Sequence, residues 1–100
     1  MAVKADKFVM RNEFHIGDSV YKSAWCDVID GKETLGYCDS KAKIIYVKNG
    51  QNTLECLCTI IHESIHAMSD DDKIKLTHSQ VYKLERAIVS FLVKNGLIKL

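Results

Sequence analysis

Thr59-Ile60-Ile61-His62-Glu63-Ser64-Ile65-His66-Ala67-Met68 is the stretch around which the rest of the chain is organised. It sits inside a longer apolar period. Leu54, Cys58, Ile61, Ile65 and Met68 recur at spacings of 4, 3, 4 and 3, which is one stripe of a helix. Asn52 with Glu55 three positions later supplies a capping box, and Ser69-Asp70-Asp71-Asp72 reads as a solvated loop that stops the helix. A second helical pattern follows. Thr77 with Gln80 is another capping box; Val81, Leu84, Ile88 and Phe91 form the stripe, with Ala87 and Leu92 beside it. Asn95-Gly96 is its stop.

Working outward toward the start of the chain, the period changes to that of strands. Phe8-Val9-Met10, Phe14-His15-Ile16, and residues 20–29, 34–38 and 43–47 are rich in β-branched and aromatic residues. Gly17-Asp18, Asp30-Gly31, Asp39-Ser40-Lys41-Ala42 and Asn49-Gly50 punctuate them as turns. The expected fold class is α+β: a small antiparallel or mixed sheet of three or four strands, followed by two helices, as one domain over residues 1–100. A chain of 100 residues has no room for two independent cores. Hydrophobic residues at 47% and charged residues at 27% exclude a disordered chain. A net charge of +1 argues against a dedicated nucleic-acid binder. No apolar run approaches the roughly 20 residues that cross a bilayer, so no membrane partner is expected. Residues 1–7 lack the apolar core of a signal peptide, which points to the cytoplasm and to four reduced cysteines.

His62-Glu63-Ser64-Ile65-His66 fits H-E-x-x-H. Residues four apart on a helix share one face, so both imidazoles can reach one metal ion. Glu63 projects about 100° round from His62. That offset suits a carboxylate that takes a proton from a zinc-bound water attacking a carbonyl carbon, then delivers it to a leaving amine. With this chain's content of His and Glu, the pattern arises by chance in roughly one such chain in a hundred. Here it falls inside a predicted helix, at the border of its apolar stripe. The bland alternative is a surface helix with two solvated histidines.

A catalytic zinc takes three protein ligands and one open position. His78 is the first choice for the third ligand. It follows the Thr77 cap, where a helix N-terminus disfavours imidazolium and keeps the ring a ligand. Glu85, seven residues on and on the same helical face, is the alternative: either the ligand, or the acceptor that orients a ligating histidine. Asp70, Asp71, Asp72 and His15 are weaker candidates.

At these residues the chain resembles a family. The segment 59–68 with the segment 76–85, and the hairpin pattern of residues 36–47 ahead of them, are similar to the small zincin-type metallopeptidases of bacteriophages and prophages, distant relatives of the ImmA/IrrE and SprT-like peptidases. The resemblance covers roughly residues 17–96. It implies a minimal zincin-like fold, one zinc ion, and hydrolysis of peptide bonds in a protein or peptide substrate, in the host cytoplasm if the gene belongs to a phage. In that comparison His62 and His66 take metal-ligand places and Glu63 the general-base place. His78 falls where many relatives carry a glutamate as third ligand, a departure that keeps a competent zinc donor. The resemblance also implies that peptide binds along an edge strand above the active-site helix, expected at residues 43–47.

Other features carry blander readings. Cys56 and Cys58 point about 200° apart on a helix, so they do not share an ion, and Cys26 and Cys38 read with them as buried thiols. Trp25, Tyr21, Tyr37 and Tyr46 read as sheet packing, and His15 as a strand surface residue. Tyr82 or Tyr46 is available to an oxyanion, and the sequence does not choose between them. The rival function is a non-catalytic, zinc-stabilised module that docks to a host or phage protein. The fourth coordination position separates the two. A third reading, proteolysis on DNA in the SprT-like manner, is opposed by the near-neutral charge.

Overall fold

The computed structural model describes residues 12–27, 29, 34–71 and 73–98. The segments Phe8-Val9-Met10 and Asp30-Gly31 lie outside the described residues. Strands β1 (Glu13–Ile16) and β2 (Ser19–Cys26) form a hairpin around Gly17, whose φ of 56° is the left-handed value that glycine tolerates best. Strands β3 (Gly36–Asp39) and β4 (Ile44–Lys48) form a second hairpin. β2 and β4 then pair in parallel, from Lys22↔Ile44 to Cys26↔Lys48, giving one mixed sheet of order β1-β2-β4-β3. Helices α1 (Thr53–Asp71) and α2 (His78–Lys94) follow. The molecule is α+β, with a four-stranded sheet ahead of two helices.

This order corrects the expected peptide edge. Of residues 43–47, all but Lys43 belong to β4, which lies between β2 and β3; the edges of the sheet are β1 and β3. Strand β2 also stops at Cys26, short of the predicted 29, although Ile29 is buried.

The core forms where α1 lies on the sheet. Ile16, Tyr21, Ile45 and Val47 from the strands meet Ile60 and Ala67 from α1, with Phe14 and Cys38 packed against them. The α1 face that does this is not the predicted stripe. Leu57, Ile60, Ser64 and Ala67 are buried, whereas Leu54 and Met68 are exposed and Cys58 and Ile61 half-buried; of the predicted stripe only Ile65 is buried. α1 is covered on two sides, by β1, β3 and β4 and by α2. Its sheet side includes Thr59, Glu63 and Ser64, which break the apolar period that a single-faced helix would show.

The second stripe is corrected in the same way. Val81, Glu85 and Val89 are buried, while Leu84, Ile88 and Phe91 are exposed, Phe91 at 58%. α2 packs on α1 along one seam, and a residue every fourth position is enough to fill it. Both predicted capping boxes are present. Asn52 and Glu55 exchange bonds of 2.9 and 3.1 Å, and Thr77 and Gln80 bonds of 3.1 and 2.8 Å.

Over Ser69, Asp70 and Asp71 the acidic run is not a solvated loop, and Asp72 lies outside the described residues. Ser69, Asp70 and Asp71 complete the last turn of α1. Asp71 Oδ1 accepts from the Tyr21 hydroxyl at 3.2 Å and from Lys43 Nζ at 2.9 Å, and Asp70 accepts from Ser40. These contacts hold the helix end on the sheet. Tyr21 is fully buried as expected of a packing residue, but Trp25 and Tyr37 are 42% and 48% exposed, because both helices lie on one side of the sheet and leave its ends and its other face open.

Candidate metal centre

His62 and His66 stand one turn apart on α1, and the return of the chain through residues 73–77 brings His78, the first residue of α2, beside them. The ring centroids of the three imidazoles are 4.9, 5.5 and 5.4 Å apart. One nitrogen from each lies within 4.8 Å of the others. The three residues named from the sequence as ligands therefore come together. Asp70 and Asp71 are engaged with Ser40, Tyr21 and Lys43 instead, and His15 is exposed on β1.

The detailed geometry suits a cation. His62 Nδ1 lies 3.1 Å from Glu85 Oε1, a contact in which a neutral ring would carry its proton on Nδ1 and offer Nε2 as an acceptor. That Nε2 faces His66 Nε2 at 3.2 Å. Two nitrogens on one tetrahedral zinc, each about 2.0–2.1 Å from it, stand about 3.3 Å apart. Burial and the neighbouring His62 and His78 hold His66 below the usual imidazole range, so the ring favours the neutral form that donates a lone pair. A donor set of three imidazoles fits zinc.

Glu85 thus acts as the acceptor behind His62, one of the two roles the sequence allowed it. It is buried at 8% exposure, and α2 presents it from the same seam as Val81 and Val89. A carboxylate at the second nitrogen fixes the tautomer and ring orientation of a ligating histidine.

Glu63 lies on the sheet side of α1, buried to 8% exposure. Burial first, and then the Glu85 carboxylate, push its carboxyl up to about 7. The approach of α1 to β3 at this point depends on Gly36. A Cβ there would stand 2.5 Å from Thr59 Cγ2, 3.1 Å from Glu63 Cγ and 3.2 Å from Glu63 Oε2. Gln51 clamps the same place: its amide donates to Leu35 O at 3.1 Å and Lys48 O at 2.9 Å, and its Oε1 accepts from the Thr59 hydroxyl at 2.8 Å. Sequence reading missed both residues. A glycine inside a strand pattern is a signal of close backbone approach; nothing local marks Gln51.

Beside Glu63 on β3, burial and then the Glu63 carboxylate push the Cys38 thiol up to about 11. The described cysteines Cys26, Cys38, Cys56 and Cys58 are all free thiols. Of the two tyrosines, Tyr82 lies at the site, its ring 6.2 Å from that of His62. Tyr46 pairs with Tyr37 on the sheet face away from the helices. A cleft of about 500 Å³ opens from His62 and Glu63 between β3 and α2. No protein-family model, curated protein or solved structure matches the chain. Among the described residues, no helix is long and apolar enough to cross a membrane.

Proposed function

We propose that this protein is a zinc-dependent peptidase. The observation that carries the reading is the convergence of His62, His66 and His78 beside a buried glutamate, Glu63, at the rim of an open cleft. His62, His66 and His78 would hold one zinc ion, with Glu85 orienting His62. When bound, zinc supplies a water of lowered pKa and a positive charge that polarises the scissile carbonyl.

Glu63 is the general base. Its carboxylate takes a proton from the attacking water and passes it to the leaving amine nitrogen, so that the peptide bond breaks to a carboxylate and an amine. A carboxyl with a pKa near neutrality serves both transfers.

The substrate strand adds to β3. The Lys48 amide donates to Leu35 O at 2.9 Å, so in this antiparallel pair the main-chain groups of Tyr37 and Asp39 also turn toward β4. Those of Gly36 and Cys38 turn to the open edge, on the residues whose side-chain positions face Glu63, and the Thr34 hydroxyl already donates to Gly36 O at 3.2 Å. An extended peptide pairing there would carry its carbonyl past the histidines. The substrate is a protein or peptide. Four free thiols suit a reducing compartment, and the reading places the protein in the cytoplasm.

The test is a pair of measurements on one preparation. Zinc-loaded protein is expected to cleave an unstructured polypeptide, to stop on chelation and to resume on zinc addition. Glu63→Gln should retain one zinc and lose at least about a hundredfold in turnover. A zinc-edge anomalous map showing a fourth protein ligand, with no cleavage by the loaded protein, would favour the docking module instead.

A further inference from the structure

α2 packs on α1 through Val81, Glu85 and Val89, and its solvent side is not the polar surface that such a helix ordinarily shows. Leu84, Ile88 and Phe91 recur at spacings of 4 and 3, so they share one side of α2, and they are 41%, 37% and 58% exposed. Leu84 and Ile88 each stand one residue before a buried one, which turns the stripe about 100° from the seam. Tyr82 and Arg86 each stand one residue after a buried one, turn the other way and line the cleft. The stripe therefore lies on the side of α2 turned away from the cleft. On α1, Ile61 precedes His62 as Glu63 follows it, so it too turns from the cleft; Met68, seven residues on and on the same face, is 44% exposed. The back of the helix pair is thus apolar on both helices.

The border of this stripe carries one sign of charge. Lys83 and Lys94 are exposed and lie outward of it, Lys94 three residues after Phe91 and Lys83 four before the exposed Ala87. Arg86, the remaining exposed charge of α2, is also basic; the one acid of the helix, Glu85, is buried against His62. Among the described residues, no carboxylate lies within ion-pair distance of Lys83 or Lys94. These charges select among the occupants of the face. A second copy, docked by two-fold pairing of antiparallel α2 helices across Ile88, would set Lys83 of each copy against Lys94 of the other. Residues 1–11 of the chain carry Lys4, Lys7 and Arg11 against Asp6 alone, again the same sign. A surface of carboxylates beside aliphatic groups complements both the stripe and its border.

We infer that the back of α2 is a docking surface for an acidic amphipathic helix of another protein, whose apolar stripe covers Leu84, Ile88 and Phe91 and whose carboxylates meet Lys83 and Lys94. Anchors at i, i+4 and i+7 are the pattern by which an amphipathic helix is recognised along its length. From first anchor to last the stripe runs about 10 Å, or two turns of the incoming helix. The inference does not depend on the peptidase reading, because none of these residues lines the cleft or belongs to the histidine cluster.

The probes are two fluorescently labelled, end-capped peptides of about 18 residues, each a helix with leucines at i, i+4, i+7 and i+11 on a background of alanine and glutamine. One carries glutamates beside the leucines, the other lysines at the same positions. In anisotropy titrations of the full chain at about 50 mM salt, the acidic probe is expected to bind at least about tenfold tighter than the basic one, and the gap to narrow at about 300 mM. Lys83→Glu combined with Lys94→Glu should reverse the preference, and Ile88→Asp should weaken the acidic probe at least about tenfold. The lysine pair lies wholly on the surface and decides the matter if Ile88→Asp does not fold. Equal binding of the two probes, failure of both to bind, or an unchanged preference in the lysine variant would overturn the inference. So would a dimer in sedimentation equilibrium that Ile88→Asp dissolves, which would make the occupant a second copy. Flotation of the wild type, but not of Ile88→Asp, with phosphatidylcholine vesicles holding about a quarter phosphatidylserine would overturn it in favour of a membrane surface.

Discussion

α1 carries two clusters of titratable side chains, about two turns apart, and they are built on opposite terms. At its C-terminal end Asp71 meets Lys43 at 2.9 Å and the Tyr21 hydroxyl at 3.2 Å, so each charge faces an opposite charge or a donor. Hydrogen bonds from Ser19 and Lys43 hold the Asp71 carboxyl below the usual range, and the same pairing holds the Lys43 ammonium above its own. In its middle, three rings and two carboxylates gather around one mixed contact, His62 Nδ1 to Glu85 Oε1 at 3.1 Å. Three imidazoles converge, and buried Glu63 has Glu85 as its charged neighbour. The first cluster anchors the helix on the sheet. The second gathers three potential ligand nitrogens in one place, and it is here that the proposed zinc would sit.

The sharpest way to break this contrast is to remove one ring. His66→Ala should weaken zinc binding by more than about a hundredfold, beyond the cost of losing a partner that only orients a ligand. Competition with a chromogenic chelator would measure it, and retained affinity would show that the rings do not act together.

Next in size is the charge on Glu63. Its folded pKa is raised to about 7 against 4.5 for the free group, so the metal-free protein holds that proton more tightly than the unfolded chain does. The stability this gives is complete below about pH 4.5 and is lost as pH rises through about 7. His66 works in the opposite sense, because its lowered pKa costs stability as pH falls. The difference between wild type and Glu63→Gln cancels the His66 contribution. Without metal, the glutamine variant should gain on wild type by on the order of 2 kcal/mol between pH 4.5 and 8, in urea melts. A constant difference across that range would mean that Glu63 ionises normally.

Two smaller effects sharpen the comparison. Glu85→Gln should lower zinc affinity about tenfold and leave the fold intact, since it changes the acceptor behind His62 but removes no ligand. Asp71→Asn should do the reverse. It should lower the melting temperature by weakening the links to Lys43 and Tyr21, while zinc affinity stays within about twofold of wild type. If Asp71→Asn impaired zinc binding as strongly as Glu85→Gln, the two clusters would be one unit.

How far each feature could be read in the chain follows the range of the interaction behind it. The i,i+4 spacing of His62 and His66 is local geometry and needs only that α1 be a helix. Both capping boxes are local too, and both are present. The stripes on α1 and α2 were misplaced by part of a turn. Apolar spacing says that a helix has a covered face, but Thr59, Glu63 and Ser64 are buried on α1 for reasons of packing and chemistry that no period records.

By itself the sequence determined a sheet followed by two helices, the N-terminal caps of those helices, and a pair of imidazoles one turn apart with a carboxylate beside them. Local hydrogen bonding and side-chain period are enough for that. Only the tertiary structure decided that His78 completes the cluster while Glu85 stands behind His62, that β3 and not β4 is the open edge, and that Gly36 lets Glu63 lie against it. Those outcomes depend on contacts between residues twelve or more positions apart, and strand order and helix docking, not sequence spacing, set such contacts.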